Sequence, residues 1–362
     1  MAKAKDFADD LIRDIIGRLS DPKSVCRFKS VSKSWRSMIS EIKREDLVIL
    51  SRSGVYSADL DSPHILKQHF VPHGGEPVIL RGSCNSLILL SSHYNIILWN
   101  KFSGDYQLIP YPEIISSEPY YKEDSMFLLY GLGYDSVDDD YKIVQIIWFC
   151  CVNHCLSKFE FKVYSLRNKT WRSPKRTSIK SSPAPYIMGS YFNMSKAALV
   201  GSSVHWAAHY EQKSQYLVFA FDLTTEESHE IELPEKTKAD VVGTLEGNLT
   251  VTHSKNELVD IWVMKEYKVK ASWTHAFRIP IVIYRGIYVS NCIRPIAYSR
   301  NCGQKMLLEC GDCSLLWYDL GKNKLDVVGI NDHQVDEIYG ITLCSYSQLR
   351  KSTGNNLLLK PS

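Results

Sequence analysis

The hydrophobic pattern of the chain changes rhythm near residue 46. Before that point apolar residues recur at helical spacing: Leu11, Ile12, Ile15, Ile16 and Leu19 share one face. Asp9 and Asp10 stand in the first turn, where acidic groups suit the helix dipole. Asp21 followed by Pro22 is an N-cap with a first-position proline, and Val25, Phe28 and Val31 continue at every third residue. Ser32 or Ser34 then caps a last turn carrying Trp35, Met38 and Ile39. The spacing predicts three short amphipathic helices within residues 7–41, with more apolar surface than they can bury among themselves. Chains below roughly 40 residues seldom fold without a metal, disulfide or partner, because too little of their surface is buried. No metal pattern occurs here, and each large apolar side chain left in water forgoes about 1.5 to 3 kcal/mol. The stripe is therefore a docking surface.

After residue 46 the period drops to two and strands take over. One unit recurs: a short apolar run ending in an aromatic, then an Asn, Asp or Ser, then polar turn residues and a second strand. It reads five times, at 96–109, 161–173, 217–231, 259–273 and 314–328. Trp99, Tyr164, Phe221, Trp262 and Trp317 mark the same place in each and form the expected repeat core. Their separations of 65, 57, 41 and 55 residues bracket the roughly 40 to 50 residues of a four-stranded propeller blade with loop insertions. Gly82, Gly201, Gly247 and Gly303 precede further strands and are expected to mark tight turns. Strands that cannot cover their own faces must stack on neighbours, and radial stacking also protects sheet edges, which favours a closed propeller over a sandwich. An additional strand, turn, strand pair at 48–60 opens the domain and is a candidate for completion by the C-terminal strand. The expected fold is a small all-α unit of three helices (residues 6–46), then an all-β, β-propeller-like domain (47–350), then a disordered tail (351–362).

Composition narrows the function. A length of 362 residues suits one small unit and one near 300 residues. Forty-three basic against 40 acidic residues leave a net charge of +3, which is no electrostatic footprint for nucleic acid. The basic stretch Lys169 to Lys180 reads as a solvated loop. The N-terminus has no apolar signal region, Ala2 excludes myristoylation, and the run Ile146 to Val152 falls far short of a membrane span. A soluble chain is expected, cytoplasmic or nuclear or both, without membrane insertion. Its ten cysteines should be reduced, and the sequons at Asn168, Asn193 and Asn248 unused.

Candidate chemistry resolves into structural readings. Cys310 and Cys313 have the spacing of half a zinc site, yet no second pair lies at a useful distance, and Gly311-Asp312 reads as a hairpin turn. Cys150, Cys151, His154 and Cys155 read as packing at a strand end. Asp135, Asp138, Asp139 and Asp140 lack the alternating spacing and trailing Glu of a calcium loop. Gly131-x-Gly133 alone is a weak phosphate-binding signal, and His64, His69 and His73 fall on a Pro- and Gly-containing loop. No catalytic constellation, metal site or cofactor is called for.

The run D-L-I-x-D-I-I-x-R-L-x-x-x-K-S-V-x-R-F-K-x-V-S-K-S-W-R-S-M-I resembles the F-box, the helical module that attaches substrate receptors to the Skp1 subunit of cullin-RING ubiquitin ligases. It departs in two places: the usual Leu-Pro opening is Phe7-Ala8, and the proline after Arg18-Leu19 is displaced to Pro22. Loss of the opening proline is expected to weaken the contact. The phrases Y-G-L-G-Y-D-S-V-D-D-D-Y-K-I-V (130–144), V-D-I-W-V-M-K-E-Y (259–267) and R-P-I-A-Y-S (294–299) resemble the F-box-associated domain of a large plant family. That family includes S-locus F-box proteins and F-box repressors of constitutive defence, and the first two phrases are closer to the second kind. The resemblance implies a non-catalytic receptor of an SCF-type E3 ubiquitin ligase. It would bind a Skp1-type adaptor, and through it cullin-1, by Phe7, Ala8, Leu11, Ile12, Ile15, Leu19, Val25, Phe28, Val31 and Trp35. The propeller would hold a protein substrate, for the defence-repressor kind an intracellular immune receptor. Two rivals remain: an interaction protein that sequesters partners without recruiting the ligase, and a propeller enzyme of the kelch-oxidase sort.

Overall fold

The computed structural model describes residues 12, 31–35, 45–52, 54–69, 78–92, 95–101, 103–113, 126–150, 157–174, 186–187, 196–210, 213–280, 283–284, 287–288, 293–299, 304–310, 314–328 and 338–345. Its strands form six antiparallel sheets arranged as the blades of a ring. Blade one holds β1 (Glu45–Ser51), β2 (Gly54–Asp59) and β3 (Ser62–His69), and blade two holds β4 (Ile79–Cys84), β5 (Leu87–Ser91), β6 (Ile96–Asn100) and β7 (Tyr106–Ile109). Blade three holds β8 (Met126–Asp135), β9 (Asp140–Cys150), β10 (Ser157–Ser165) and β11 (Thr170–Arg172). In blade four, β12 (Tyr186–Ile187) and β13 (Ala198–Val200) both pair with β14 (Ser203–Tyr210), followed by β15 (Gln215–Asp222) and β16 (Ser228–Glu232). Blade five is β17 (Val241–Leu245), β18 (Asn248–Lys255), β19 (Leu258–Met264) and β20 (Trp273–Pro280). A separate two-stranded hairpin, β21 (Ile283–Tyr284) and β22 (Ile287–Tyr288), precedes blade six, which is β23 (Ile293–Tyr298), β24 (Lys305–Cys310), β25 (Ser314–Asp319) and β26 (Lys324–Val327).

The C-terminal strand β27 (Ile338–Ser345) completes blade one by pairing antiparallel with β1, Glu45 opposite Ser345 and Leu47 opposite Leu343. The pairing covers the edge of β1 that would otherwise be open to aggregation, and the ring keeps only short, protected edges. Blade two fastens to the closing strand: Ser83 Oγ donates to Leu343 O at 2.9 Å and Cys344 Sγ to Asn85 O at 3.1 Å. A buried ion pair between Lys101 and Asp46 joins the same two blades.

Six apolar clusters occupy the six interfaces between neighbouring blades. Leu47 and Ile49 of β1 face blade six, while Val48 and Leu50 face blade two. Leu87 and Leu89 of β5 face blade three, while Ile88 and Leu90 face blade one. Both faces of a central strand are therefore buried, and the expected polar alternation gives way to continuous apolar runs. Alternation belongs to sheets with one wet face, and a ring of blades has none between neighbours. Gly201 and Gly247 do occupy turns, at φ 60 and 77, but Gly82 lies inside β4, and the turn there is made by Asn85 at φ 55 with Ser86. Gly303 lies outside the described residues, as does the tail 351–362.

Candidate functional site

Of the N-terminal stripe, Phe7, Ala8, Leu11, Ile15, Leu19, Val25 and Phe28 lie outside the described residues. Ile12 is helical, Val31 stands in a turn with 62% of its surface exposed, and Trp35 belongs to a helix beginning at 33. Ser32, not Ser34, caps that helix, since its Oγ accepts the Trp35 N–H at 3.0 Å. No helix among the described residues is long and apolar enough to cross a membrane.

The register of β1 decides which face of the ring this segment joins. Because Glu45 lies opposite Ser345, the chain arrives at the end of the ring carrying the turns between first and second strands, at 85–86, 136–139, 201–202 and 246–247. The turns between third and fourth strands lie on the same face. The connections between blades leave from the opposite face, and the longer ones span 110–125, 173–197 and 281–292. One face is thus built of short turns, and the other receives the long connections.

Buried ion pairs hold the short-turn face. Lys142 Nζ, on a side chain only 3% exposed, donates to Asp135 Oδ2 at 2.7 Å, to Asp138 Oδ2 at 3.0 Å and to Leu223 O of the next blade at 3.0 Å. Glu226 of blade four stands 3.4 Å from the same ammonium and takes a two-pronged contact from Arg172. Burial alone would raise the Asp135 carboxyl, but Lys142 and the Val137 N–H outweigh it and hold it below the ordinary value. Burial would likewise lower the Lys142 ammonium, but Asp135 and Asp138 outweigh it and keep it above its ordinary value. Asp139 accepts from Tyr134, and Asp140 accepts from Ser165 and from the Arg167 N–H. All four aspartates of the calcium-like run are committed to protein donors. Arg172 of the basic stretch is likewise engaged, donating to Glu226, and residues 175–180 lie outside the described residues.

The other sequence candidates also fall on structural positions. Gly131 lies in β8, where an added Cβ would stand 2.5 Å from Val204 Cγ1, so glycine there permits close packing of blades three and four. His64 and His69 lie in β3 rather than on a loop, and His73 is outside the described residues. The strand extends because its residues pair with β2: His69 Nε2 lies 2.7 Å from Ser57 Oγ and its ring meets Trp99 edge-on. Burial pushes that imidazole down to about 4. Cys310 ends β24 opposite Ser314, whereas Cys313, Cys151, His154 and Cys155 lie outside the described residues. Between blades four and five, the Tyr267 hydroxyl lies 2.8 Å from His205 Nε2 and 3.2 Å from His229 Nε2, and burial pushes both imidazoles down to about 4.

The five repeat aromatics all stand on third strands, in β6, β10, β15, β19 and β25. Trp99, Tyr164 and Phe221 are fully buried and directly precede Asn100, Ser165 and Asp222, whose side chains accept from the following turn. Asp319 plays that part in blade six, so the matching position is Tyr318, buried against blade five, and Trp317 turns to the opposite side against blade one. In blade five the matching position is Met264, and Trp262 lies two residues earlier on the same side. The readable signal was an aromatic immediately before an Asx or Ser, not the largest aromatic of the run.

Sequence reasoning missed the axial channel. Inner strands β4, β13, β17, β23 and β27 wall a cavity of about 1340 Å³. At its long-connection end Lys196, just ahead of β13, crosses to blades six and one: it pairs with Glu309 and lies 3.5 Å from Ile341 O. Glu309 also accepts the Ile341 N–H at 3.2 Å, and Arg294 Nη1 lies 3.7 Å from its other oxygen. Burial would raise this carboxyl, but Lys196 and then Arg294 outweigh it and keep it below the ordinary value. Glu246 is exposed at the opposite mouth.

Comparison with known proteins accounts for both parts of the chain. Residues 6–46 match the F-box domain and residues 28–347 match the F-box associated beta propeller domain. F-box protein CPR1 of Arabidopsis thaliana is 30% identical over 357 residues, covering 89% of this chain and 84% of its own. From the same organism, F-box protein At4g22390 is 28% identical over 308 residues (79% and 74% covered). F-box/kelch-repeat protein At3g23880 is 28% identical over 305 residues (75% and 79%).

Proposed function

Because this chain belongs to the F-box proteins that carry an F-box associated β-propeller domain, we propose that it is the substrate-recognition subunit of an SCF-type ubiquitin ligase. In this reading residues 6–46 form three helices that bind a Skp1-type adaptor, and through it cullin-1, with the stripe from Phe7 to Trp35. Residues 47–350 hold a protein target. The observation that carries the reading is the union of an F-box with a closed ring whose first strand is reached from the short-turn face. An adaptor held by the N-terminal segment on that face leaves the long-connection face open for a target.

The mechanism is positional. Holding target and charged conjugating enzyme in one assembly turns a bimolecular transfer into one at high effective concentration, so the receptor needs no bond-making residue of its own. In this reading the work is cytoplasmic or nuclear, and the resemblance of the 130–144 and 259–267 phrases to the defence repressors supports an intracellular immune receptor as the target.

The test is the double variant Leu11→Asp with Ile15→Asp in the full-length chain, which places unpaired carboxylates in the adaptor interface. Adaptor should vanish from the pull-down, target capture should persist, and target half-life in cells should lengthen. Recovery of adaptor at the wild-type level would refute the docking assignment. Phe7-Ala8 in place of Leu-Pro favours the sequestering alternative, and equal target half-life with both chains would establish it.

A further inference from the structure

We propose that the long-connection end of the axial channel is a binding site for an oxyanion, a phosphate or carboxylate group on a small soluble molecule, with Arg294 as its principal donor and Lys196 as a second cation. The proposal stands independently of the receptor reading.

Charge is the first argument. Lys196 and Arg294 converge on one carboxylate, Glu309, on side chains that are 12%, 19% and 12% exposed. Two cations facing one cavity hold an oxyanion more firmly than either alone, because each adds a charge-assisted hydrogen bond.

Geometry is the second. Glu309 Oε1 is taken by Lys196 and by the Ile341 N–H. Arg294 reaches Oε2 only through Nη1, at 3.7 Å, longer than a hydrogen bond. Its Nε is buried and has no hydrogen-bond partner among the described residues. A guanidinium offers two parallel N–H groups along its Nε edge, a match for two oxygens of one phosphate or carboxylate. The wall beside it is cleared for the purpose: a Cβ on Gly243 would stand 3.0 Å from Arg294 Cγ. The cavity next to the cluster accommodates a small organic anion.

The experiment titrates full-length protein with inorganic phosphate and, separately, citrate, replacing chloride at constant ionic strength, with heat of binding and melting temperature as readouts. At least one anion should bind saturably to the wild type. Arg294→Gln should weaken binding by at least tenfold, and Arg294→Lys, which keeps the charge and loses the fork, should weaken it comparably. The exposed-lysine control Lys322→Gln should bind as the wild type does. Response to phosphate alone assigns a phosphate-bearing ligand, and response to citrate alone a carboxylate. If Arg294→Gln does not fold, Arg294→Lys carries the comparison. No saturable response to either anion, or equal binding by the Arg294 variants and the control, would overturn the site.

Discussion

Replacing Lys142 by Met tests the junction between blades three and four. Met fills the volume of the aliphatic stem and removes the ammonium, leaving Asp135, whose side chain is fully buried, without its cation. Asp135 would keep the Val137 N–H at 2.9 Å and the Thr224 hydroxyl at 2.9 Å, and Glu226 would keep Arg172. The loss is therefore that of one partner from a buried pair, about 3 to 5 kcal/mol. For a domain of about 300 residues that corresponds to a fall in melting temperature of roughly 5 to 8 °C. Asp135→Asn together with Lys142→Met removes both charges and retains the acceptor for Val137 and Thr224, so the double variant should regain most of the loss. The pH dependence has a fixed sign. The folded-state pKa of Asp135 lies below 3.8, so its contribution in the wild type is present above that value and fades as pH falls through the folded pKa. Without Lys142 the buried carboxyl is raised instead, and the gap between single variant and wild type should narrow on acidification. Denaturant unfolding of the three proteins from pH 7 to pH 4 measures all of this. A double variant as unstable as the single one, or a single variant within about 1 kcal/mol of wild type, would refute the reasoning.

Two further outcomes follow from geometry. Tyr318→Ala should destabilise by about 3 to 5 kcal/mol and exceed Trp317→Ala by calorimetry, although tryptophan is larger, because Tyr318 is the one buried between blades five and six; the reverse order would contradict the register. His205, near 4 when folded against 6.5 unfolded, contributes stability above pH 6.5 that is lost as pH falls toward 4. His69 and His229 are lowered in the same way, so the test is the difference: between pH 7 and 5 His205→Asn should lose about 2 kcal/mol less than wild type, and an equal loss in both would remove this histidine from the account.

What could be read from the chain was whatever is encoded locally. Trp99-Asn100, Tyr164-Ser165 and Phe221-Asp222 disclose the third strand because the Asx or Ser that caps the turn adjoins the aromatic that fills the interface. Trp262 and Trp317 do not share that place, because adjacency to the turn residue fixes it and neither adjoins one. The runs Leu87–Leu90 and Ile96–Trp99 are apolar throughout for a reason no short window contains, namely that a second blade covers the other face. The channel cluster was invisible for the same reason. Lys196, Arg294 and Glu309 come from blades four and six and share no spacing, and they meet only because a ring brings inner strands together at its axis.

The pairing of β1 with β27 also sets an order of events during synthesis. About 290 residues separate the two strands, so at roughly 5 to 20 residues per second the first strand waits on the order of 15 to 60 s for its partner. Throughout that interval the N-terminal segment is already outside the ribosome while the ring stays open, and a chain that stops before Ile338 never closes. Strand β27 is thus a checkpoint in synthesis: only a chain translated past it has a sealed ring, and one that stops short leaves the edge of β1 open to quality control.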